Sequence, residues 1–182
     1  FYDLLKNNKI LCDNLHIPIQ SGSNEILKRM NRKYDLSYYE TIVKKIRNIR
    51  PDIYLSTDLL VGHPYETEEL FQETIDTVKR INFSKVHVFP YSKREGTASS
   101  RMPMQVLESV KHERARKLIN LSNELEQDYN NRFIGKTLEV LVEDIKDNKC
   151  IGHTSNMLKL TFPGEYKLND LVKIKIEEGY YE

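Results

Sequence analysis

The sequence predicts an α/β fold in which parallel strands are covered by helices, followed by a small antiparallel β-barrel of the oligonucleotide-binding kind. Three observations carry that prediction. Short apolar strands start near positions 15, 54 and 85, a spacing that leaves room for helical crossovers between parallel strands. A long helical pattern runs from about Val106 to Arg132. After Gly135 the hydrophobic period switches to two, in short stretches broken by turns.

Leu15 to Ile19 reads as the first strand, and a helix from Ser23 to Met30 follows, with Ser23 as its expected cap and Glu25 in the first turn. A second helix is expected over Ser37 to Ile49, with Tyr39, Ile42, Ile46 and Ile49 on one face and Pro51 beyond its end. Ile53 to Val61 is a strand ending in Gly62. Thr67 caps the next helix, which puts Phe71, Ile75 and Val78 on one side, and Lys85 to Phe89 is the third strand. In the long connector, Val110, Leu118, Leu121, Leu125 and Tyr129 line the buried side, and the basic run Lys111, Arg114, Arg116 and Lys117 reads as a solvated face. Leu138, Val140 and Val142 alternate with polar residues. Met157 to Phe162 is a short strand closed by Pro163-Gly164, and Val172, Ile174 and Ile176 alternate with Lys173, Lys175 and Glu177. Domains are expected at 1–134 and 135–182.

The 182 residues are 39% hydrophobic and 30% charged, a globular balance rather than a disordered or fibrous one. No apolar run approaches the roughly 18–20 residues of a membrane span, and no basic-then-apolar leader opens the chain. Cys12 and Cys150 lie too far apart for a disulfide framework or a metal knuckle, so a reducing, cytoplasmic setting is expected. Net charge is only +1, and the segment from Lys136 onward holds 7 Lys against 9 Asp or Glu, a net of −2. Such a barrel would have to hold nucleic acid through local contacts, not a diffuse field. The chain opens on Phe1, without a methionine, and is expected to be a piece of a longer protein.

Strand ends are where a parallel α/β sheet keeps its chemistry. Gln20-Ser21-Gly22-Ser23 is either a polar turn or a side-chain amide with free N–H groups facing a polar ligand. Asp58, a carboxylate inside an apolar strand, needs a partner: a neighbouring loop, or the two hydroxyls of a ribose. Gly62 would let a ligand approach the backbone. Phe89 to Ser92, followed by Lys93 and Arg94, suits a base or an anion, although core packing also accounts for Phe89. The five histidines are scattered and read as structural. No Walker loop, hydrolase triad or His-Glu-x-x-His helix is present.

Four blocks of this chain together resemble the radical S-adenosylmethionine methylthiotransferases. They are Leu15-His16-Ile17-Pro18-Ile19-Gln20-Ser21-Gly22-Ser23 with Ile26 to Tyr34, Ser56 to Glu69, Val86 to Thr97, and Arg101 to Val106, in the family's order. The tail from Lys136 resembles that family's RNA-binding TRAM barrel. The resemblance implies part of a TIM-type (βα) barrel around S-adenosylmethionine, with two 4Fe-4S clusters held by cysteines upstream of this chain. It follows that this chain alone would hold no metal, carry no catalytic residue and be inactive. At matching positions the resemblance implies that Gln20 bonds the ribose or methionyl part of S-adenosylmethionine and that Arg32 pairs with its carboxylate. Asp58 would accept the ribose hydroxyls, Leu60 would pack the adenine, and Gly62 would lie beside it. The implied partners are the anticodon arm of tRNA and an electron donor such as a flavodoxin or ferredoxin. For the RNA, Lys93, Arg94, Lys136, Lys159, Lys173 and Lys175 are the expected contacts, extended by Arg114 to Lys117. Arg32-Lys33-Tyr34 and the Val86 to Ser92 block look most like the branch that adds a methylthio group to C2 of N6-threonylcarbamoyladenosine at position 37. The alternatives are the sister branch acting on isopentenyladenosine, and a module that only binds tRNA. The family usually has Phe and Gly where this chain has His63 and Tyr65. If that glycine position needs a positive φ, Tyr65 is strained.

Overall fold

The structure, a computed structural model, describes residues 1–181. After a short helix α1 (Tyr2–Asn7), three strands, β1 (Asn14–His16), β2 (Tyr54–Val61) and β3 (Lys85–Pro90), form one parallel sheet in the order β1-β2-β3. Helices α2 (Asn24–Arg29), α3 (Leu36–Ile49) and α4 (Glu68–Ile81) fill the crossovers. Asp35 caps α3 by accepting from the Tyr38 amide at 2.8 Å, and Thr67 caps α4 through Leu70. Ser23 does occupy the cap position of α2, but its hydroxyl makes no cap bond and lies buried without a partner. Ser21 supplies the local bond instead, accepting from the Ser23 amide.

On β2, Leu55, Leu59 and Val61 are fully buried against Tyr39 and Val43 of α3 and Phe71 and Val78 of α4. Strand alternation sends Tyr54, Ser56, Asp58 and Leu60 to the opposite face. Among the described residues no helix covers that face at its carboxyl end, where Phe89 of β3 is 51% exposed. The 24-residue helix α5 (Glu108–Asn131) packs along β3. Its Ser122 hydroxyl accepts from the Val86 amide and donates to the Val86 carbonyl, closing the sheet edge.

Beyond α5, β4 (Thr137–Lys146), β5 (Lys149–Thr154), β6 (Lys159–Pro163) and β7 (Leu171–Lys175) form an antiparallel sheet in the order β6-β5-β4-β7. A bridge from Leu160 to Tyr181 extends it toward closure. Its own core holds Val140, Val142, Leu158, Leu160 and Phe162, and takes in Tyr129 and Phe133 from the end of α5 and just beyond it. The sequence shows no alternation that marks β5. Gly152 sits where a Cβ would lie 2.0 Å from the Leu141 carbonyl oxygen, beside the register shift of β4 between Val142 and Asp144. A glycine that permits this close approach also breaks the strand signature.

The basic run of α5 is not a uniformly solvated face. Lys111 and Arg114 are buried, at 2% and 5% exposure, and point back to the loop after β2. Only Arg116 and Lys117 remain on the surface.

The two units meet at the amino end of the parallel strands. The Tyr129 hydroxyl donates to the Asp52 carbonyl at 2.6 Å and accepts from Asn156 at 3.0 Å. Its ring packs edge-on against Tyr54. Arg132 pairs with the Asp52 carboxylate at 2.6 Å, and Ser155 donates to Asp13.

Candidate cofactor and RNA-binding site

β1 ends early for a visible reason. The Thr57 hydroxyl takes over the ladder by donating to the Ile17 carbonyl and accepting from the Ile19 amide. The chain then turns out at Gln20, with φ 70°, and rejoins β2 through a bridge to Leu59. Gln20 is thereby held at the carboxyl end of the sheet. The next residues are tied down from α4: Thr74 accepts from the Gly22 amide at 3.2 Å, and Thr77 donates to its carbonyl at 3.0 Å.

Arg32 arrives at the same end by way of a Schellman turn. Asn31 is left-handed at φ 58°, its amide reaches the Lys28 carbonyl, and the Arg32 amide reaches that of Leu27. The Tyr34 hydroxyl then anchors the turn to the Ile19 carbonyl at 3.1 Å, beside Gln20. The Arg32 side chain is exposed.

Asp58 is half-buried on the uncovered face, with Leu60 two residues further toward the strand end. Its partner is one the sequence reading had treated as merely structural: His16 Nε2 lies 3.3 Å from the carboxylate, while His16 Nδ1 bonds the Ser56 hydroxyl at 2.9 Å. The pairing follows from the register, in which His16 lies opposite Ser56 and shares its face. The His87 ring stands 5.7 Å from that of His16. Asp58 is thus oriented before any ligand arrives, with an imidazole on one oxygen.

Gly62 follows at φ 75°. The space above its Cα is not open to a ligand as expected. The aliphatic stem of Lys111 fills it, and a Cβ there would lie 2.3 Å from Lys111 Cγ. The Gly62 amide donates to Glu66 Oε1 at 2.7 Å. Arg114 donates to the same oxygen and to the Glu66 carbonyl, both at 2.9 Å. Burial pushes the Glu66 carboxyl upward, while the Gly62 amide and Arg114 pull it back down.

The expected strain at Tyr65 is present, with φ 70°. Its amide donates to the Met104 carbonyl at 3.0 Å, and the Arg29 guanidinium lies 4.0 Å from its ring centre. That stacking offsets part of the cost of the left-handed backbone. His63 is buried edge-on against Tyr91, and burial lowers its pKa.

Gln20, Asp58 and Leu60 therefore lie toward one end of the parallel sheet, and the turn that carries Arg32 is anchored next to Gln20 through Tyr34. This arrangement fits a nucleoside carrying a carboxylate: an amide and a carboxylate for hydroxyls, an apolar side chain for a base, and a guanidinium for the acid. Iron–sulfur clusters do not fit the described residues. No group of three or more His, Cys, Asp or Glu among them is placed to hold a metal ion, and Cys150 is buried in the second core while Cys12 lies exposed near the amino end.

Lys93 and Arg94 lie on the exposed loop after β3, at the carboxyl end of the parallel strands. The barrel lysines divide. Lys173 and Lys175 are exposed on β7, with Lys173 directly across from Glu139 and Lys175 from Thr137. Lys159 is exposed on β6, paired in register with His153. Lys136, by contrast, faces Asp52 at 3.7 Å and lies over the Phe133 ring, in the seam between the units. Arg114 is removed from the expected RNA footprint by its burial against Glu66.

Comparison with known proteins finds two family matches in the chain. Residues 1–78 match the Radical SAM superfamily and residues 131–181 match the TRAM domain, so the chain joins part of a radical S-adenosylmethionine fold to a TRAM domain. The fold resembles Escherichia coli coproporphyrinogen III oxidase (HemN), described as a radical SAM enzyme. The TM-score is 0.56 at 15% identity, over 97% of this chain and 49% of that one. Along nearly its whole length the chain is similar to tRNA methylthiotransferases. It is 40% identical, over 98% of its length, to the threonylcarbamoyladenosine tRNA methylthiotransferase MtaB of Bacillus subtilis. It is 44% identical to the tRNA-2-methylthio-N(6)-dimethylallyladenosine synthases of Thermoanaerobacter sp. (strain X514) and Clostridium novyi, over 92% and 93% of its length. The chain spans 41%, 36% and 38% of these three relatives.

Proposed function

We propose that this chain supplies the S-adenosylmethionine-facing strand ends and the RNA-binding module of an enzyme that adds a methylthio group to C2 of N6-threonylcarbamoyladenosine at position 37 of tRNA. One observation carries the reading. Asp58 lies toward the carboxyl end of β2, and the TRAM barrel is fixed at the strand's amino end, about 13 Å from Asp58 by the strand rise from Tyr54. An enzyme acting on a base within a folded RNA needs that separation, because the RNA must be held well away from the base that is modified.

Gln20 and Asp58 would orient the ribose of S-adenosylmethionine, Leu60 would pack its adenine, and Arg32 would pair with its carboxylate. His16 holds the Asp58 carboxylate in place for that role. When bound, the cofactor would supply the adenosyl radical and the methyl group. Lys93 and Arg94 would meet RNA near the base, and Lys159, Lys173 and Lys175 would meet the anticodon arm. The enzyme would work in the cytoplasm, served by a flavodoxin- or ferredoxin-type electron donor.

Identity to the Bacillus subtilis relative over nearly the whole chain supports the threonylcarbamoyl substrate. The 44% identity to dimethylallyladenosine synthases favours a second reading, the isopentenyl-type base. Mass spectrometry of tRNA nucleosides from a strain lacking the gene separates them. Loss of the methylthiolated threonylcarbamoyl nucleoside is expected; if it persists while the isopentenyl one disappears, the second reading replaces the first. The 182-residue chain alone is expected to be inactive and to take up no cluster on anaerobic reconstitution, since thiolate ligands are required. A stoichiometric cluster absorption band would contradict that.

A further inference from the structure

We propose that Lys111 and Arg114, on α5, are positioning residues for the cofactor loop after β2. They would set the loop's shape, and through it S-adenosylmethionine affinity, from the same helix that carries the RNA-binding barrel. This rests on the reading that S-adenosylmethionine binds at these strand ends.

Three contacts converge on the loop from α5. The Lys111 stem closes over Gly62, its ammonium pairs with Glu108 at 2.7 Å, and it stands 5.1 Å from the Tyr91 ring centre. Tyr91 begins the loop after β3, and its amide bonds the Val61 carbonyl. One helix side chain therefore touches the ends of both β2 and β3. Arg114, four-fifths of a turn further on, holds both the carboxylate and the carbonyl of Glu66, and that carboxylate holds the Gly62 amide. A glycine at φ 75° is free to leave this conformation, so its geometry must be imposed from outside. Two buried cations on a helix whose polar neighbours face water are costly to desolvate unless they hold something in place.

The helix is pinned at its far end as well. Tyr129, 18 positions after Lys111, is bonded to Asp52 and Asn156 at the barrel seam. A rod fixed at both ends transmits the barrel's placement to the Gly62–Glu66 loop.

The test uses the full-length protein, with calorimetric titration of S-adenosylmethionine and hydrogen exchange of the 62–66 segment. Lys111→Ala, which removes the stem, and Arg114→Met, which removes the fork, are each expected to raise the cofactor Kd at least tenfold and to speed exchange at 62–66. Lys111→Met keeps the stem and should stay within twofold of wild type. Transfer-RNA affinity should be unchanged in all three. A Kd unmoved in Lys111→Ala and Arg114→Met, with wild type binding normally, overturns the positioning role even if both variants melt earlier. If wild type itself binds no S-adenosylmethionine, the cofactor reading fails instead. Exchange then decides the clamp, and unaltered protection at 62–66 in Lys111→Ala and Arg114→Met overturns it.

Discussion

Replacing Tyr129 with phenylalanine removes one oxygen and leaves the ring. That oxygen is the meeting point of the two units, donating to the Asp52 carbonyl at 2.6 Å and accepting from Asn156 at 3.0 Å. Asp52 is exposed, so water can replace the phenol on its carbonyl. Asn156 is 5% exposed, and its side-chain oxygen is already engaged by Thr154, so its amide N–H is stranded. A net hydrogen bond is worth about 1 kcal/mol and a stranded buried donor costs about 1–3 kcal/mol, which places the loss near 2 kcal/mol. The ring contacts with Tyr54 and Phe133 remain. Urea unfolding of Tyr129→Phe, Asn156→Ala and the double variant measures the coupling directly. The double variant should lose clearly less than the sum of the singles. The phenol also titrates late, because burial pushes its pKa up to about 12. A raised folded-state pKa gives stability that is complete below the unfolded value near 10 and lost as pH rises through 12. The difference between wild type and Tyr129→Phe should therefore shrink across that window. A loss under about 0.5 kcal/mol at pH 7, or strictly additive singles, would refute the account of the seam.

His63 is buried with a lowered pKa, so the unfolded chain binds the proton more readily. Stability should fall as pH drops below about 6.5, and His63→Phe should flatten that fall in urea midpoints taken between pH 7.5 and 5.5. At Tyr65, glycine relieves the left-handed strain while alanine keeps it, and both lose the Arg29 stack. Tyr65→Gly should be more stable than Tyr65→Ala by about 1 kcal/mol in the same assay, and equal values would remove strain from the explanation. For RNA, Lys173→Ala and Lys175→Ala in the full-length protein should each lower the salt slope of tRNA binding by roughly 0.7–0.9. Lys136→Ala should change it less, because that lysine already faces Asp52.

Periodicity alone carried the architecture. The 2-period and 3.6-period stretches, the cap Thr67 and the glycine at Gly62 are local physics, and local physics is written in consecutive residues. So were the four motif blocks, which carry Gln20 just after the first strand, Arg32 after the helix that follows and Asp58 within the second strand. Strand β5 was not legible, since its glycine answers to the Leu141 carbonyl across the sheet rather than to its neighbours in the chain. Nor was the fate of the charges. Lys111, Arg114 and Lys136 look like any solvated lysine or arginine in sequence. Whether each meets water, Glu66, Gly62 or Asp52 depends on contacts 48 to 84 positions apart. His16 became the partner of Asp58 only when β1 was laid beside β2. Burial and ion pairing are settled by which surfaces the tertiary fold brings together, because a charge's free energy depends on the dielectric and the partners around it, and neither is a property of the chain's local pattern.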